Sequence, residues 1–188
     1  MTQNAARVIL IHGAIRRPST NRWMRELSEF LSTRGMTVEC FFWSGIPLSI
    51  PVRYAAMQLL SRLQALVGPH VIWAKSTGAD IANLAARRTP IKVIVRVAPG
   101  YVVSRQIELS ARGLTVELAE DRFLDRWDGV GIIRKLEPPN SEPRYIVNGA
   151  PGIDHHALNL NRHVRLQDGR EVDLYDLYAE LIDQARGL

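Results

Sequence analysis

Short apolar runs alternate with amphipathic segments along almost the whole chain. The run at 7–12, Arg-Val-Ile-Leu-Ile-His, is rich in β-branched residues and precedes turn residues, so it predicts a buried strand. Residues 20–34 instead place Trp23, Leu27, Phe30 and Leu31 at successive spacings of four, three and one, as in an amphipathic helix. Thr20 or Asn21 can cap that helix and Gly35 can end it.

The same alternation predicts six strands and five helices. The strands are expected at 7–12, 36–42, 70–74, 91–97, 114–118 and 145–147, and the helices at 20–34, 52–67, 78–88, 122–136 and 174–184. Proline and glycine predict loops at 44–51 and 137–143, and Gln-Asp-Gly-Arg between two polar arms predicts a small hairpin at 163–172. Buried strands separated by helices predict an α/β fold, a three-layer sandwich around a six-stranded, mostly parallel sheet.

Length and composition are those of an ordinary globular domain. The chain has 188 residues, of which 46% are apolar and 23% charged, so we expect one domain over 1–188. No apolar run approaches the ~20 residues of a membrane span, and the N-terminus has no secretory apolar segment. The one cysteine, Cys40, cannot form an internal disulfide, and we expect a cytoplasmic protein.

The net charge of +5 identifies no partner. Of the 24 basic residues only three are lysines, and the arginines are scattered rather than collected into a basic run with stacking aromatics. We therefore expect no nucleic-acid partner. The five histidines lack the spacing of a metal site, so no metal and no cofactor are expected.

A serine occupies the turn between the third strand and its helix. Ligands of parallel sheets bind at the carboxyl ends of the strands, so this turn is a candidate site. The segment reads Ala74-Lys75-Ser76-Thr77-Gly78, and small residues two positions either side of Ser76 suit a tight nucleophile elbow, with Ala74 in place of the usual first glycine. A helix cap or an anion-binding loop would use the same residue types.

Two backbone N–H groups are candidates for an oxyanion hole. One belongs to Thr77, directly after the serine, and the other to Ala14, or less favourably Ile15, after the first strand. Gly13 lets the backbone approach a reacting carbonyl closely. His12 reads as a structural hydrogen-bonding residue rather than a catalytic one.

An acid and a histidine follow later strands. Asp121 follows the fifth strand, with Glu120 and Asp125 as reserve acids, and its alternative role is to cap the next helix. His155 and His156 follow the sixth strand. A histidine that takes the serine proton and an acid that orients the imidazole would complete a hydrolytic site.

The order Ser76, Asp121, His155 is that of α/β-hydrolases, and the chain resembles this superfamily over essentially its whole length. The segment Gly152-Ile153-Asp154-His155 resembles the Gly-x-Asp-His of small dienelactone-hydrolase-like members, and Leu118 stands where the acid turn usually has glycine. The resemblance implies a serine hydrolase of carboxylic esters or thioesters. Ser76 would be its nucleophile, His155 its base and Asp121 its acid, with Thr77 and Ala14 as the oxyanion hole.

The sequence also indicates an open site. No long insertion follows the fourth strand, so no large cap is expected, and 101–112 is the one stretch able to cover the site. The residues expected to line an acyl pocket follow the second strand: they are Trp43, Ile46, Leu48 and Ile50. The residues expected to pair with an anionic substrate are Arg16 and Arg17, which follow the proposed oxyanion loop, and Lys75, which precedes Ser76.

Two other functions use the same residues. The imperfect elbow suits a catalytically silent binding or scaffold protein of the same fold. A flavodoxin-like phosphate binder would use Ser76-Thr77-Gly78 as an anion cradle, but no glycine-rich nucleotide motif accompanies these residues.

Overall fold

A parallel sheet organises the chain. The computed structural model describes residues 7–14, 18–66, 70–89, 91–105, 112–136, 138–139 and 141–187. Within these ranges six strands form one sheet in the order β2-β1-β3-β4-β5-β6, with every neighbouring pair parallel. The strands are β1 Arg7–Ile11, β2 Thr37–Phe41, β3 His70–Lys75, β4 Val93–Val97, β5 Arg112–Leu118 and β6 Arg144–Val147.

Helices cover both faces of the sheet, so the predicted three-layer α/β sandwich is confirmed. The described helices are α1 Pro18–Thr33, α2 Ser49–Ala65, α3 Gly78–Ala86, α4 Arg122–Gly129 and α5 Leu174–Gly187. Side chains of β1 alternate between the two faces: Val8 and Leu10 join the core beneath α1 and α5, whereas Ile9 and Ile11 join the core beneath α2 and α3. Burial on both faces explains why the strands read as continuous apolar runs.

The predicted loop at 44–51 is wrong at its end, because α2 already begins at Ser49. Pro51 lies in the first turn of this helix, where the backbone N–H that proline lacks would have no acceptor within the helix. The helix ends at Ala65, and residues 67–69 lie outside the described ranges.

The predicted helix at 122–136 is too long, because α4 ends at Gly129. Gly131 has φ +71°, a left-handed conformation that stops the helix. The chain then turns back, and Arg134 exchanges two backbone hydrogen bonds with Tyr101. Strand β5 begins two residues earlier than predicted, at Arg112, and includes Gly113.

The predicted hairpin forms beside the sheet. Its strands are β7 His163–Arg165 and β8 Glu171–Asp173, paired antiparallel, and Leu166 makes an isolated bridge to Val147 at the end of β6. All six parallel strands point the same way, so the segments after β1, β3, β5 and β6 meet at one edge of the sheet.

Candidate active site

Ser76 sits in a strained turn between β3 and α3. Its φ is +49°, a left-handed conformation that a non-glycine residue adopts only at a cost. Its backbone N–H donates to the carbonyl of Val97 at 2.9 Å, and its carbonyl accepts from Ala79 N–H at 2.9 Å. These bonds fix the turn from both sides. The serine hydroxyl is buried and makes no hydrogen bond within the described part of the chain.

Two glycines make this turn possible. A Cβ on Gly13 would lie 2.7 Å from the Cβ of Ser76, and a Cβ on Gly78 would lie 2.8 Å from the carbonyl oxygen of His12. No side chain fits at either distance without moving backbone. The expectation that position 78 must be small because of its neighbours therefore has a measured steric basis.

Asp121 contacts both His155 and the start of α4. Its Oδ2 lies 2.7 Å from Nδ1 of His155, and its Oδ1 accepts from the backbone N–H of Leu124 at 3.0 Å. Both side chains of the Asp121–His155 pair are nearly fully buried. The two roles weighed for Asp121, helix cap and histidine partner, are thus filled together, one by each oxygen.

The environment of His155 favours a neutral imidazole. Burial lowers its pKa to about 4, the positive charge of Lys75 acts in the same direction, and the hydrogen bond and charge of Asp121 oppose them. Burial alone would raise the pKa of Asp121, but the His155 hydrogen bond and charge, the Leu124 N–H and Lys75 leave it below the usual value. With the carboxylate ionised, Nδ1 carries the proton and donates to Asp121, and Nε2 is free to act as a base.

Phe123 supports the histidine from the side. Its ring stacks on the imidazole of His155 with centroids 4.5 Å apart and planes inclined by 25°. Sequence reasoning missed this contact. Its one signal was an aromatic residue two positions after the acid, in the first turn of the helix that Asp121 caps.

Lys75 lies beneath the histidine loop. Its side chain is buried, and Nζ donates to the backbone carbonyl of His155 at 2.5 Å. The ammonium group binds a main-chain oxygen, and Lys75 also lines the cavity that Ser76 lines, so its expected pairing with a substrate anion stays a prediction.

A cavity of about 460 Å³ brings the predicted residues together. Ala14, Ser76 and His155 line it, and Asp121 lies behind His155. Thr77 is buried at the N-cap of α3 and does not line the cavity with its side chain. The remaining lining residues come mainly from the start of α1 and from the histidine loop, and include Thr20, Trp23, Asn159 and Arg162.

The reserve acids do not line the cavity of Ser76, whereas the second histidine does. Asp125 is exposed and pairs with Lys135, and Glu120 is exposed at the rim of a second cavity beside the histidine loop. His156 is exposed, its ring 5.7 Å from that of His155, and it lines the main cavity. Its backbone N–H donates to Asp154.

The expected acyl-pocket residues after β2 do not line the cavity, which corrects that prediction. Trp43 packs against His12, donating from its backbone N–H to Nε2 and from its indole N–H to the carbonyl of His12. Ile46, Leu48 and Ile50 are exposed. Their apolar character gave no information about whether they would face the cavity or solvent. His12 accepts a hydrogen bond from Trp43 and also lines the cavity, so its structural rather than catalytic role stays a prediction.

Part of the expected surroundings lies outside the described residues. This holds for Ile15, Arg16 and Arg17 and for residues 106–111 of the covering stretch. The first part of that stretch is fixed to α3, since Asp80 accepts backbone hydrogen bonds from residues 102, 103 and 104. Among the described residues no three His, Cys, Asp or Glu are grouped as a metal site would require.

No model of a protein family matches the chain, and no curated protein matches it. Solved structures do match. A protein of Xanthomonas campestris pv. campestris, placed with the hydrolases of the alpha/beta superfamily, has a TM-score of 0.64 and 18% sequence identity, over 95% of this chain and 99% of its own. An extracellular alpha/beta-hydrolase from a Paenibacillus species has a TM-score of 0.57 and 12% identity, over 96% and 98%. The chain has the α/β-hydrolase fold.

This result confirms the fold expected from the order of the strand-end residues. The dienelactone-hydrolase-like subtype stays a prediction. The Paenibacillus protein is described as sharing structural and functional homology with tobacco salicylic acid binding protein 2. At such low identities the likeness is one of fold, and the α/β-hydrolase fold hosts many functions, so activity has to be argued from the site.

Location is not decided by these comparisons. None of the described helices combines the length and apolarity needed to cross a bilayer. The cytoplasmic location stays a prediction from the sequence, and one of the two structural neighbours is extracellular.

Proposed function

We propose that this chain is a serine hydrolase that cleaves a carboxylic ester or thioester through an acyl-enzyme. The observation that carries the proposal is the buried 2.7 Å contact between His155 Nδ1 and Asp121 Oδ2, made at the cavity that Ser76 lines from its strained turn. An isolated helix cap or anion loop would need neither the histidine nor its buried carboxylate partner. We further propose that residues 1–188 act as a single domain.

The first step forms the acyl-enzyme. Ser76 Oγ attacks the substrate carbonyl carbon while Nε2 of His155 takes the hydroxyl proton. Asp121 keeps the other imidazole nitrogen protonated and stabilises the imidazolium that forms. The proton on Nε2 then passes to the leaving alcohol or thiol as its bond to the carbonyl carbon breaks. The hydroxyl of Ser76 makes no hydrogen bond to any described residue, His155 included, so the serine–histidine hydrogen bond that this transfer needs forms when substrate binds.

The second step releases the acid. Water attacks the acyl carbon and gives a proton to His155, which returns it to Ser76 Oγ as the ester bond breaks. In both steps the backbone N–H groups of Thr77 and Ala14 stabilise the negative oxygen. Thr77 suits this role because its N–H belongs to the first turn of α3, where backbone donors have no acceptor within the helix.

Labelling with a fluorophosphonate probe tests the class and the nucleophile together. Only an activated serine displaces fluoride from the probe, so we expect one label per chain, mapped to Ser76 by peptide mass spectrometry. Ser76→Ala should remove labelling and the hydrolysis of short p-nitrophenyl esters. His155→Ala and Asp121→Asn should slow both by about 10³–10⁴-fold or more.

The matched control is Ser32→Ala, which removes an exposed hydroxyl from α1. This variant should be labelled as fast as the wild type. A folded wild-type protein that no probe labels would overturn the proposal and favour the silent binding protein that the sequence also allows.

A further inference from the structure

A lysine is buried beside the proposed nucleophile. Lys75 is the last residue of β3 and directly precedes Ser76. Only 2% of its surface is exposed, and its ammonium group donates to the backbone carbonyl of His155, 80 residues later in the chain. The contact joins the strand that carries the serine to the loop that carries the histidine.

Burying this ammonium group opposes folding. Removal of a charged amine from water costs several kcal/mol unless partners compensate, and an apolar side chain of similar size would be easier to bury. The carboxylates of Asp121 and Asp154 are the charges that compensate for its burial. A buried lysine whose charge is balanced by the proposed catalytic acid, and which binds the histidine's main chain, is better explained by the site than by packing.

The histidine loop otherwise has few anchors next to His155. Asp154 accepts from the backbone N–H groups of His156 and Ala157, which shapes the turn after the histidine. The Asp121 contact fixes the imidazole at Nδ1, and Phe123 limits its tilt from one side. The hydrogen bond from Lys75 holds the His155 backbone close to the end of β3.

We propose that Lys75 is a positioning residue, whose bond to the His155 carbonyl sets where the imidazole lies relative to Ser76 at the cavity that both residues line. This role rests on the proposed serine-hydrolase function. The ammonium group does not touch the substrate carbonyl; it acts on the reaction through the histidine.

The charge of Lys75 has a second effect on the same histidine. His155 is faced by Lys75 from β3, Asp121 from the start of α4 and His156 from its own loop. Asp121 and Asp154 in turn face Lys75. A positive charge next to the imidazole disfavours its protonation, so removal of that charge should raise the pKa of His155.

The test replaces the ammonium group by a side chain of similar length, in Lys75→Met. The matched control is Lys92→Met, since Lys92 Nζ also donates to a backbone carbonyl, that of Arg186 at 2.6 Å, away from the site. We expect Lys75→Met to lower kcat, and the rate of fluorophosphonate labelling, by about 10–100-fold with KM nearly unchanged, because a misplaced base slows chemistry and not binding. Lys92→Met should keep both rates.

A second readout does not depend on turnover. In NMR titrations of folded protein, the pKa of His155 should be higher in Lys75→Met than in the wild type and unchanged in Lys92→Met. Should Lys75→Met fail to fold, Lys75→Gln, which keeps a polar donor but shortens it, replaces it in both measurements with the same expected direction.

The outcomes separate the two proposals. Wild-type labelling at Ser76 together with wild-type rates and His155 titration in the Lys75 variants would overturn the positioning role and leave the serine hydrolase intact. A wild type that no probe labels would overturn the hydrolase, and with it the catalytic meaning of the contact. A Lys75 variant that loses both kcat and folding stability, while the pKa of His155 stays at its wild-type value, would show that Lys75 has a structural role only.

Discussion

At the scale of single residues, the position of polar side chains at strand ends predicted which of them come together, but not how they are held. Ser76, Asp121 and His155 could be selected from sequence because each follows an apolar strand, and such ends meet in a parallel sheet. The contacts of Lys75 and Phe123 could not, because they depend on the height and tilt of a loop 80 and 32 residues away. No local pattern encodes those distances.

The left-handed backbone of Ser76 should have a measurable cost in stability. We expect Ser76→Gly to be more stable than Ser76→Ala by about 1 kcal/mol, because glycine adopts a positive φ without strain and alanine does not. Urea unfolding of the two variants measures the difference, and neither has the hydroxyl, so its loss cancels. Equal midpoints, or a more stable alanine variant, would show that the turn is not strained.

At the scale of elements, periodicity predicted the strands and helices well and their ends less well. The middles of β1 and β3 are uninterrupted apolar runs, and tertiary burial agrees with the local pattern there. The ends of α2 and α4 depend instead on proline in a first turn and on a left-handed glycine. The sequence also did not predict that the start of α1 lines the cavity, because Thr20 is a residue type typical of a helix cap.

A buried ion pair inside the sheet was not predicted either. Arg96 of β4 is fully buried, and its Nη1 donates to both carboxylate oxygens of Glu142, at 3.0 and 2.8 Å. Gly113 provides the space for this pair, since a Cβ at that position would lie 1.6 Å from Nη1 of Arg96. In the sequence nothing distinguishes Arg96 from the other arginines, and Glu142 is one residue of a proline-rich loop.

We expect Glu142→Gln to destabilise the fold by about 3–5 kcal/mol, since it leaves the Arg96 charge buried without its counterion. Chemical unfolding followed by circular dichroism measures the loss. The double change Arg96→Met with Glu142→Leu should lose much less, because it removes both charges. A double variant that is no more stable than Glu142→Gln would contradict this account.

At the scale of the whole molecule, the parallel sheet and its two covered faces follow from an alternation of elements that the sequence displays. The placement of the basic side chains does not follow from that alternation. Of the three lysines, Lys75 is buried in the site and Lys92 binds a helix end, whereas composition alone identified no role for either. Burial of an ionisable group is decided by the complete fold.

The buried lysine should make stability depend on pH above neutrality. Burial lowers the pKa of Lys75 from 10.5 to about 7, so between these values the unfolded chain binds a proton that the native protein does not. Native stability therefore rises with pH across this window. Above about pH 9 the thiol of Cys40 and the buried hydroxyls of Tyr101 and Tyr178, whose pKa values are raised by burial, act in the opposite direction.

We expect the melting temperature to rise by several degrees between pH 7 and 9 in the wild type and to stay nearly level in Lys75→Met. Differential scanning calorimetry in matched buffers gives the comparison. Parallel curves for the two proteins would mean that Lys75 keeps its ordinary pKa in the folded state.

The two oxygens of Asp121 link a helix end to the proposed chemistry. One caps α4 and the other orients His155, so opening of the first turn of α4 withdraws the carboxylate from the imidazole as well. Local unfolding of so short a helix needs less free energy than global unfolding. Upon warming, the reactivity of Ser76 should therefore disappear at a lower temperature than the one at which the sheet unfolds. The loss should accompany the local opening that exposes the α4 amides to hydrogen exchange.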